Sequence, residues 1–157
     1  KIAPTNYGTI QRQTLDLDTK TVTGEEISTV ICEMPQTSPL YQGREYQWGY
    51  AMAYSENRKA DFDYYDGIVK IDFKNKTSET YGFGEGHYTS EPLFVPRTHS
   101  EGEDDGYLLC PVYAAETHET FIAVMDAKNL SAGPLARVYL NSFFPLTFHG
   151  VWVESNN

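Results

Sequence analysis

A period of about 55 residues constrains this chain more than any other feature. Three segments share one pattern: Leu15-Asp16-Leu17-Asp18-Thr19-Lys20-Thr21, Ile71-Asp72-Phe73-Lys74-Asn75-Lys76-Thr77 and Met125-Asp126-Ala127-Lys128-Asn129-Leu130-Ser131. Each sets an Asp behind an apolar residue and runs through a polar stretch to Thr or Ser. Asp16 and Asp72 are 56 residues apart, and Asp72 and Asp126 are 54 apart. Asp and Asn side chains bond their own backbone in tight turns, so each segment reads as a hairpin turn between two strands. Apolar runs precede the second and third turns, Gly67-Ile68-Val69-Lys70-Ile71 and Phe121-Ile122-Ala123-Val124-Met125. Polar-alternating returns follow them, Ser78-Glu79-Thr80-Tyr81-Gly82-Phe83 and Ala136-Arg137-Val138-Tyr139-Leu140.

Further strand candidates are Tyr46–Ala53, Leu93–Pro96, Tyr107–Tyr113 and Gly150–Val153, rich in Tyr, Val, Phe and Leu. No stretch sustains apolar residues at i, i+3, i+4 and i+7, and Gly and Pro punctuate the chain throughout. The reading is all-β, with about four short strands per repeat. Four strands recurring every roughly 40–55 residues mark a β-propeller blade. Just under three copies fit into 157 residues, and three blades cannot close a ring that removes its edges. The chain is therefore expected to be a fragment of a larger propeller.

Composition bounds the partners. Lys and Arg total 12 against 22 Asp and Glu, a formal charge of −10, which argues against nucleic acid and anionic lipid headgroups as partners. No apolar run approaches the roughly 20 residues that cross a bilayer as a helix. Cys32 and Cys110 each sit in an apolar stretch without a Cys-x-x-Cys pair, so two buried free thiols are expected rather than a disulfide or a zinc ribbon.

The innermost strand of each blade should follow the hairpin return of the blade before it. That phase holds Cys32-Glu33-Met34-Pro35, Ser90-Glu91-Pro92-Leu93-Phe94-Val95-Pro96 and Phe148-His149-Gly150-Val151-Trp152-Val153. Glu33 to Glu91 is 58 residues, and Glu91 to His149 is again 58. Three polar, metal-competent side chains thus share one phase of the repeat. A buried carboxylate or imidazole needs a partner, and two arrangements supply one. Either a cation lies near the axis, with histidine as ligand and carboxylates fixing its tautomer, or all three residues join blades by bonding to backbone.

At these residues the sequence resembles a known family. Pro145-Leu146-Thr147-Phe148-His149-Gly150 resembles the last iron-ligand motif of the carotenoid cleavage oxygenase (retinal pigment epithelial membrane protein) family. Glu33-Met34-Pro35 is similar to its Glu-Phe-Pro element, and Tyr46-Gln47-Trp48-Gly49-Tyr50-Ala51 to its aromatic strand. Glu91-Pro92-Leu93-Phe94-Val95-Pro96-Arg97, Glu103-Asp104-Asp105-Gly106-Tyr107-Leu108-Leu109 and Asp126-Ala127-Lys128-Asn129-Leu130-Ser131-Ala132-Gly133-Pro134 also match, in family order. The likeness runs from about Asp16 to Val153.

The resemblance implies a seven-bladed propeller with Fe(II) on its axis, held by four histidines. His149 would be one ligand, and Glu33 and Glu91 would match glutamates that orient ligand histidines. Residues 1–157 would be the C-terminal part of a single such propeller domain, with the N-terminal blades, and the other three ligands with them, missing. The implied reaction uses O2 to split a conjugated carbon–carbon double bond of a carotenoid or apocarotenoid into two carbonyl products; a stilbene is the alternative substrate within the family. Met34 stands where Phe is usual and Thr37 where Asn is frequent, which leaves the substrate subgroup open. Phe94, Phe143, Phe144, Phe148, Trp48 and Tyr50 are candidates for the wall of an apolar substrate tunnel, or else inter-blade core. With one ligand of four, the isolated chain is expected to bind iron poorly and to be inactive. Isomerase chemistry and a non-catalytic propeller binding module remain the competing readings. The protein is expected in the cytoplasm or at a membrane surface, with any peripheral membrane contact made by segments outside this chain.

Other motifs carry less. Gly82-Phe83-Gly84-Glu85-Gly86 lacks the third glycine of a phosphate loop and reads as a turn. Glu101-Gly102-Glu103-Asp104-Asp105-Gly106 lacks EF-hand spacing and reads as a solvated loop. His87, His99 and His118 are placed in surface loops, away from the His149 phase.

Overall fold

Asp turns organise the chain as the repeat implies. The computed structural model describes residues 8–57 and 64–153. Oδ1 of Asp16 accepts the backbone N–H groups of Asp18 and Thr19, both at 2.9 Å, and Oδ1 of Asp72 accepts those of Lys74 and Asn75 at the same distance. Four residues after each Asp, the backbone takes a left-handed step, at Lys20 (φ 56°) and Lys76 (φ 54°). The third turn starts alike, with Lys128 N–H bonded to Asp126 Oδ1 at 2.8 Å. It then lengthens through a single 3-10 turn, Leu130–Ala132, that ends at Gly133 (φ 77°). Those N–H bonds hold the Asp16 carboxyl below the usual carboxylate range. At Asp72 burial opposes the same effect, but bonds from Asn75, Gln47 and Lys74 still lower it.

Among the described residues these hairpins belong to three antiparallel sheets. The first is a ladder of β1 (Ile10–Asp16) and β2 (Thr21–Ser28). The second runs in sequence order through β3 (Cys32–Gln36), β4 (Trp48–Ala53), β5 (Gly67–Asp72) and β6 (Thr77–Gly82). In the third, β9 (Gly106–Ala114), β10 (Glu119–Asp126) and β11 (Pro134–Tyr139) lie side by side. The edge beyond β9 is shared by β7 (His87–Thr89) and β8 (Leu93–Pro96). Two four-stranded meanders and the last hairpin of another account for the period: each Asp turn joins the last two strands of its unit.

Burial follows the pleat. Leu108, Cys110 and Val112 of β9 and Phe121, Ala123 and Met125 of β10 point to one core, which Tyr50, Ile68 and Phe94 complete. Ala51, Ala53, Val69, Ile71 and Phe73 face the other way, onto Ile27 and Cys32. Strand β5 is buried along its whole length because both faces of its sheet are covered. Tyr50 stacks on Phe94 at 5.5 Å between ring centroids, and both are core rather than tunnel wall. Cys32 and Cys110 are free and buried, and burial pushes the Cys32 thiol up to about 11 and raises that of Cys110 as well.

Several polar bonds between the second and third sheets repeat the same sequence interval. Gln36–Glu91, Trp48–Glu103, Lys70–Lys128 and Glu79–Ser131 contacts span between 52 and 58 residues, whereas Lys70–Asp104 and Tyr50–Ala127 span 34 and 77. Ser90–Thr147, Glu91–His149 and Glu91–Gly150 tie the stretch after β11 to the third sheet at 57 to 59. The acidic run is part of this seam and not a solvated loop. Glu103 accepts the backbone N–H groups of Gln47 and Trp48, at 2.9 and 2.6 Å. Asp105 is buried beside Arg97 and Lys128, and the Glu101 N–H, then Lys128, hold its carboxyl low. Lys70 of β5 is 5% exposed; its Nζ lies 2.8 Å from Asp104 Oδ2, 3.2 Å from the Lys128 carbonyl and 4.1 Å from the Trp48 ring centroid. Trp48 is thereby a seam residue too. In the full-length protein Asp104→Ala strands this ammonium and is expected to cost about 2–3 kcal/mol in chemical denaturation. Adding Lys70→Met should recover part of that loss. An unchanged denaturation midpoint for Asp104→Ala would show that the pair does not hold the sheets together.

Two further sequence expectations change. Gly150–Val153 forms no strand, since no described strand offers it a ladder, and the segment is exposed. His87 opens strand β7 and is half-buried, rather than lying in a surface loop. His99 and His118 do sit outside strands, both with positive φ.

Candidate metal centre

Prolines interrupt the first strand of each complete sheet, and the polar residues of interest sit at those interruptions. Pro cannot donate to a ladder, so pairing stops where it occurs. Along β9 the edge breaks at Ser90-Glu91-Pro92, between β7 and β8. Along β4 the register slips between Glu33 and Gln36, with Met34 at φ 55° ahead of Pro35. Side chains at such breaks are released from the pleat and aim where a regular strand would not send them.

Glu91 is 6% exposed and held from both sides. The Ser90 N–H bonds to the Pro111 carbonyl at 3.2 Å, and Thr89 Oγ1 donates to the same carbonyl at 3.0 Å, fixing the break onto β9. The stretch after β11 is tied first to Thr120 of β10 and then to the break itself. Leu140 N–H bonds to the Thr120 carbonyl at 2.9 Å. Phe144 exchanges bonds with Thr120 Oγ1 at 3.2 Å through its N–H and its carbonyl. Thr147 N–H reaches Ser90 Oγ at 3.1 Å. Pro145 denies this stretch a ladder, so side-chain hydroxyls position it instead.

The ties deliver His149 to Glu91. His149 Nδ1 lies 3.2 Å from Glu91 Oε1, and the Gly150 N–H donates to Oε2 at 3.1 Å. Gln36 Nε2 donates to Oε1 at 2.5 Å from across the seam. A buried carboxylate accepting three N–H bonds is a satisfied one. Because the carboxylate only accepts, Nδ1 is the nitrogen that donates, and Nε2 is the one turned away from Glu91. The His149 side chain is 74% exposed, and Nε2 has no partner among the described residues. This is how a ligating histidine is prepared: one nitrogen fixed by a carboxylate, the other available.

Glu33 is placed differently. It is exposed, and its hydrogen-bond partner is the Tyr65 hydroxyl; burial, then the Glu33 carboxylate, push that phenol up. The structure therefore brings Glu91 and His149 together and leaves Glu33 apart from them. Both regions border one cavity of about 660 Å³, lined by Glu33, Tyr65, Tyr88, Tyr113, Phe143 and Phe148 among others. Phe143 and Phe148 are 60% and 73% exposed, as wall residues and not as core. Phe144 lines a smaller neighbouring cavity of about 190 Å³. Among the described residues no cluster of three or more His, Cys, Asp and Glu is gathered for a metal. Gln36 was not singled out by its residue type or spacing; only the slip in β3 reveals it.

The profile of the retinal pigment epithelial membrane protein family matches residues 3–154. An apocarotenoid-15,15'-oxygenase from Synechocystis is 31% identical over 149 residues, covering 94% of this chain and 30% of that protein. A carotenoid 9,10(9',10')-cleavage dioxygenase 1 from Arabidopsis thaliana is 29% identical, covering 94% of this chain and 29% of its own length. The crystal structure of cobalt-substituted Synechocystis ACO superimposes with a TM-score of 0.91 at 29% identity, over 99% of this chain and 32% of that one. The chain thus spans about a third of the length of the relatives it matches.

Proposed function

The chain belongs to the retinal pigment epithelial membrane protein family, and on that premise we propose that the full-length protein is a non-haem Fe(II) dioxygenase. It would be built as a seven-bladed propeller and would cleave a carotenoid or apocarotenoid at a conjugated carbon–carbon double bond. The observation that carries this reading is His149, with Nδ1 bonded to buried Glu91 and Nε2 exposed.

His149 suits Fe(II): a neutral imidazole with a fixed tautomer donates through Nε2, and the carboxylate behind it supports the ring's basicity. Fe(II), when bound, supplies the redox chemistry by which one O2 is added across a C=C bond, giving two C=O groups as that bond breaks. Three further histidines would come from outside this chain. Glu33 would serve one of them, turning from Tyr65 to do so. The aromatic cavity beside Phe148 fits the body of an apolar polyene, and the relatives named for carotenoid cleavage support that substrate class. A stilbenoid is the alternative substrate for the same chemistry.

The test is product analysis with the full-length, Fe(II)-loaded protein, an apocarotenoid and O2. Two shorter carbonyl compounds in equal amounts, with one O2 consumed per substrate, are expected. An isomer of unchanged carbon number, or no conversion of apocarotenoid and stilbenoid alike, would overturn the proposal.

A further inference from the structure

We propose that Gln36 is a positioning residue for His149, acting through Glu91; this rests on the reading of His149 as a metal ligand. Gln36 lies in the second sheet, opposite Tyr50 in register, while Glu91 belongs to the third. The two are 55 residues apart in sequence, yet Gln36 Nε2 donates to Glu91 Oε1 at 2.5 Å. That is the oxygen that accepts from His149 Nδ1.

The backbone pays a cost to make this bond. Met34 holds φ 55°, a region that a side chain disfavours, directly before Pro35, where the preceding residue is pushed toward extended geometry. The register slips by the same stretch, with Glu33 opposite Met52 and Gln36 opposite Tyr50. A regular strand would place Gln36 on the pleat; the bulged one carries its amide over to the next sheet. Strain of this kind persists only where surrounding contacts over-determine it, and the Gln36–Glu91 bond is such a contact.

The effect on His149 is geometric. Glu91 has one oxygen gripped by Gly150 N–H and the other by Gln36, so the carboxyl plane cannot turn. The ring bonded to Oε1 inherits that fixity, and Nε2 is held in one direction for a metal ion. Without the Gln36 amide, Oε1 keeps only the His149 bond, and the carboxyl can pivot about its remaining Gly150 anchor and carry the ring with it. Gln36 also brings the second sheet into the centre, so the site reports whether the two sheets are docked.

Co(II), whose visible absorption reports ligand geometry, tests this in the full-length protein without reference to turnover. Gln36→Leu is expected to speed chelator-driven Co(II) release about 3–10-fold, less than the 10–100-fold typical of a direct outer partner of a ligand. The visible bands should shift or broaden at an unchanged thermal midpoint. Gln36→Glu should be worse, since two carboxylates would face each other. If Gln36→Leu fails to fold, Gln36→Asn, one methylene too short to make the bond, is read in its place with the same expectation. Wild-type release and spectrum in these variants, while His149→Ala loses Co(II), would overturn the positioning role alone. Full Co(II) retention by His149→Ala would instead remove the ligand reading beneath it.

Discussion

Replacing His149 by alanine in the full-length protein is expected to abolish stoichiometric iron and to lower turnover by about 1000-fold or more, some 4 kcal/mol of lost barrier reduction. The argument is that the imidazole is prepared for one task. Its ring is 74% exposed, so it contributes little to packing. Its Nδ1 bond to Glu91 is matched by Gly150 N–H and Gln36, which would still satisfy the carboxylate after the substitution. The fold should therefore survive, with a thermal midpoint close to that of the parent. Metal analysis and turnover, read beside that midpoint, check the expectation. Unchanged iron and unchanged turnover would mean that His149 is no ligand.

Substitution of Glu91 is expected to be costly in two ways at once. Glu91→Ala removes the acceptor shared by His149, Gly150 and Gln36, in a position 6% exposed. Of the donors released, Gln36 is half-buried while His149 and Gly150 are exposed and can turn to water, so a cost of about 1–3 kcal/mol falls mainly on Gln36 and the thermal midpoint should fall. Metal affinity should also fall by about 10–100-fold, because the ring loses its fixed tautomer and orientation. Glu91→Gln separates the two effects. It keeps the volume but has one acceptor oxygen where three donors converge, so an amide N–H must face a donor. Stability should fall less than in Glu91→Ala, while metal affinity falls nearly as far. Titration of the full-length apoprotein with Fe(II) under anaerobic conditions, alongside thermal unfolding, measures both. Loss of stability with undiminished affinity would make Glu91 a blade-joining residue only.

Local chemistry explains what could be read from sequence. The Asp turns were legible because an Asx turn is made by residues two and three positions away, as at Asp16 and Asp72. Their period then set the phase that singles out Glu33, Glu91 and His149, of which Glu91 and His149, 58 residues apart, meet at 3.2 Å while Glu33 bonds to Tyr65 instead. Longer-range chemistry stayed hidden. Glu101–Gly106 looks solvated because its partners, Lys70, Gln47 and Trp48, lie far upstream and on another sheet. Trp48, Tyr50 and Phe94 share the composition of a ligand tunnel, yet packing between sheets uses them up. Gln36 is aimed by a strand irregularity that residue type alone does not announce. Gly150–Val153 has strand composition, but a strand exists only beside another strand.

The span shared by many of the polar ties has a kinetic meaning. Apart from Lys70–Asp104 and Tyr50–Ala127, the bonds described between the second and third sheets, and those of Ser90 and Glu91 to the stretch after β11, close loops of nearly the same length, 52 to 59 residues. Loop-closure entropy grows with the logarithm of loop length, so a further unit meets the same barrier as the one before it and not a higher one. A chain organised in this way can assemble by nearest-neighbour steps, each new unit templated on the last, much as an array of repeats propagates from wherever it nucleates. The pair at Glu91 and His149 stands at the C-terminal end of these ties, and Glu91 is also bonded to Gln36 of the neighbouring sheet, so its full set of partners exists only where the two sheets are docked.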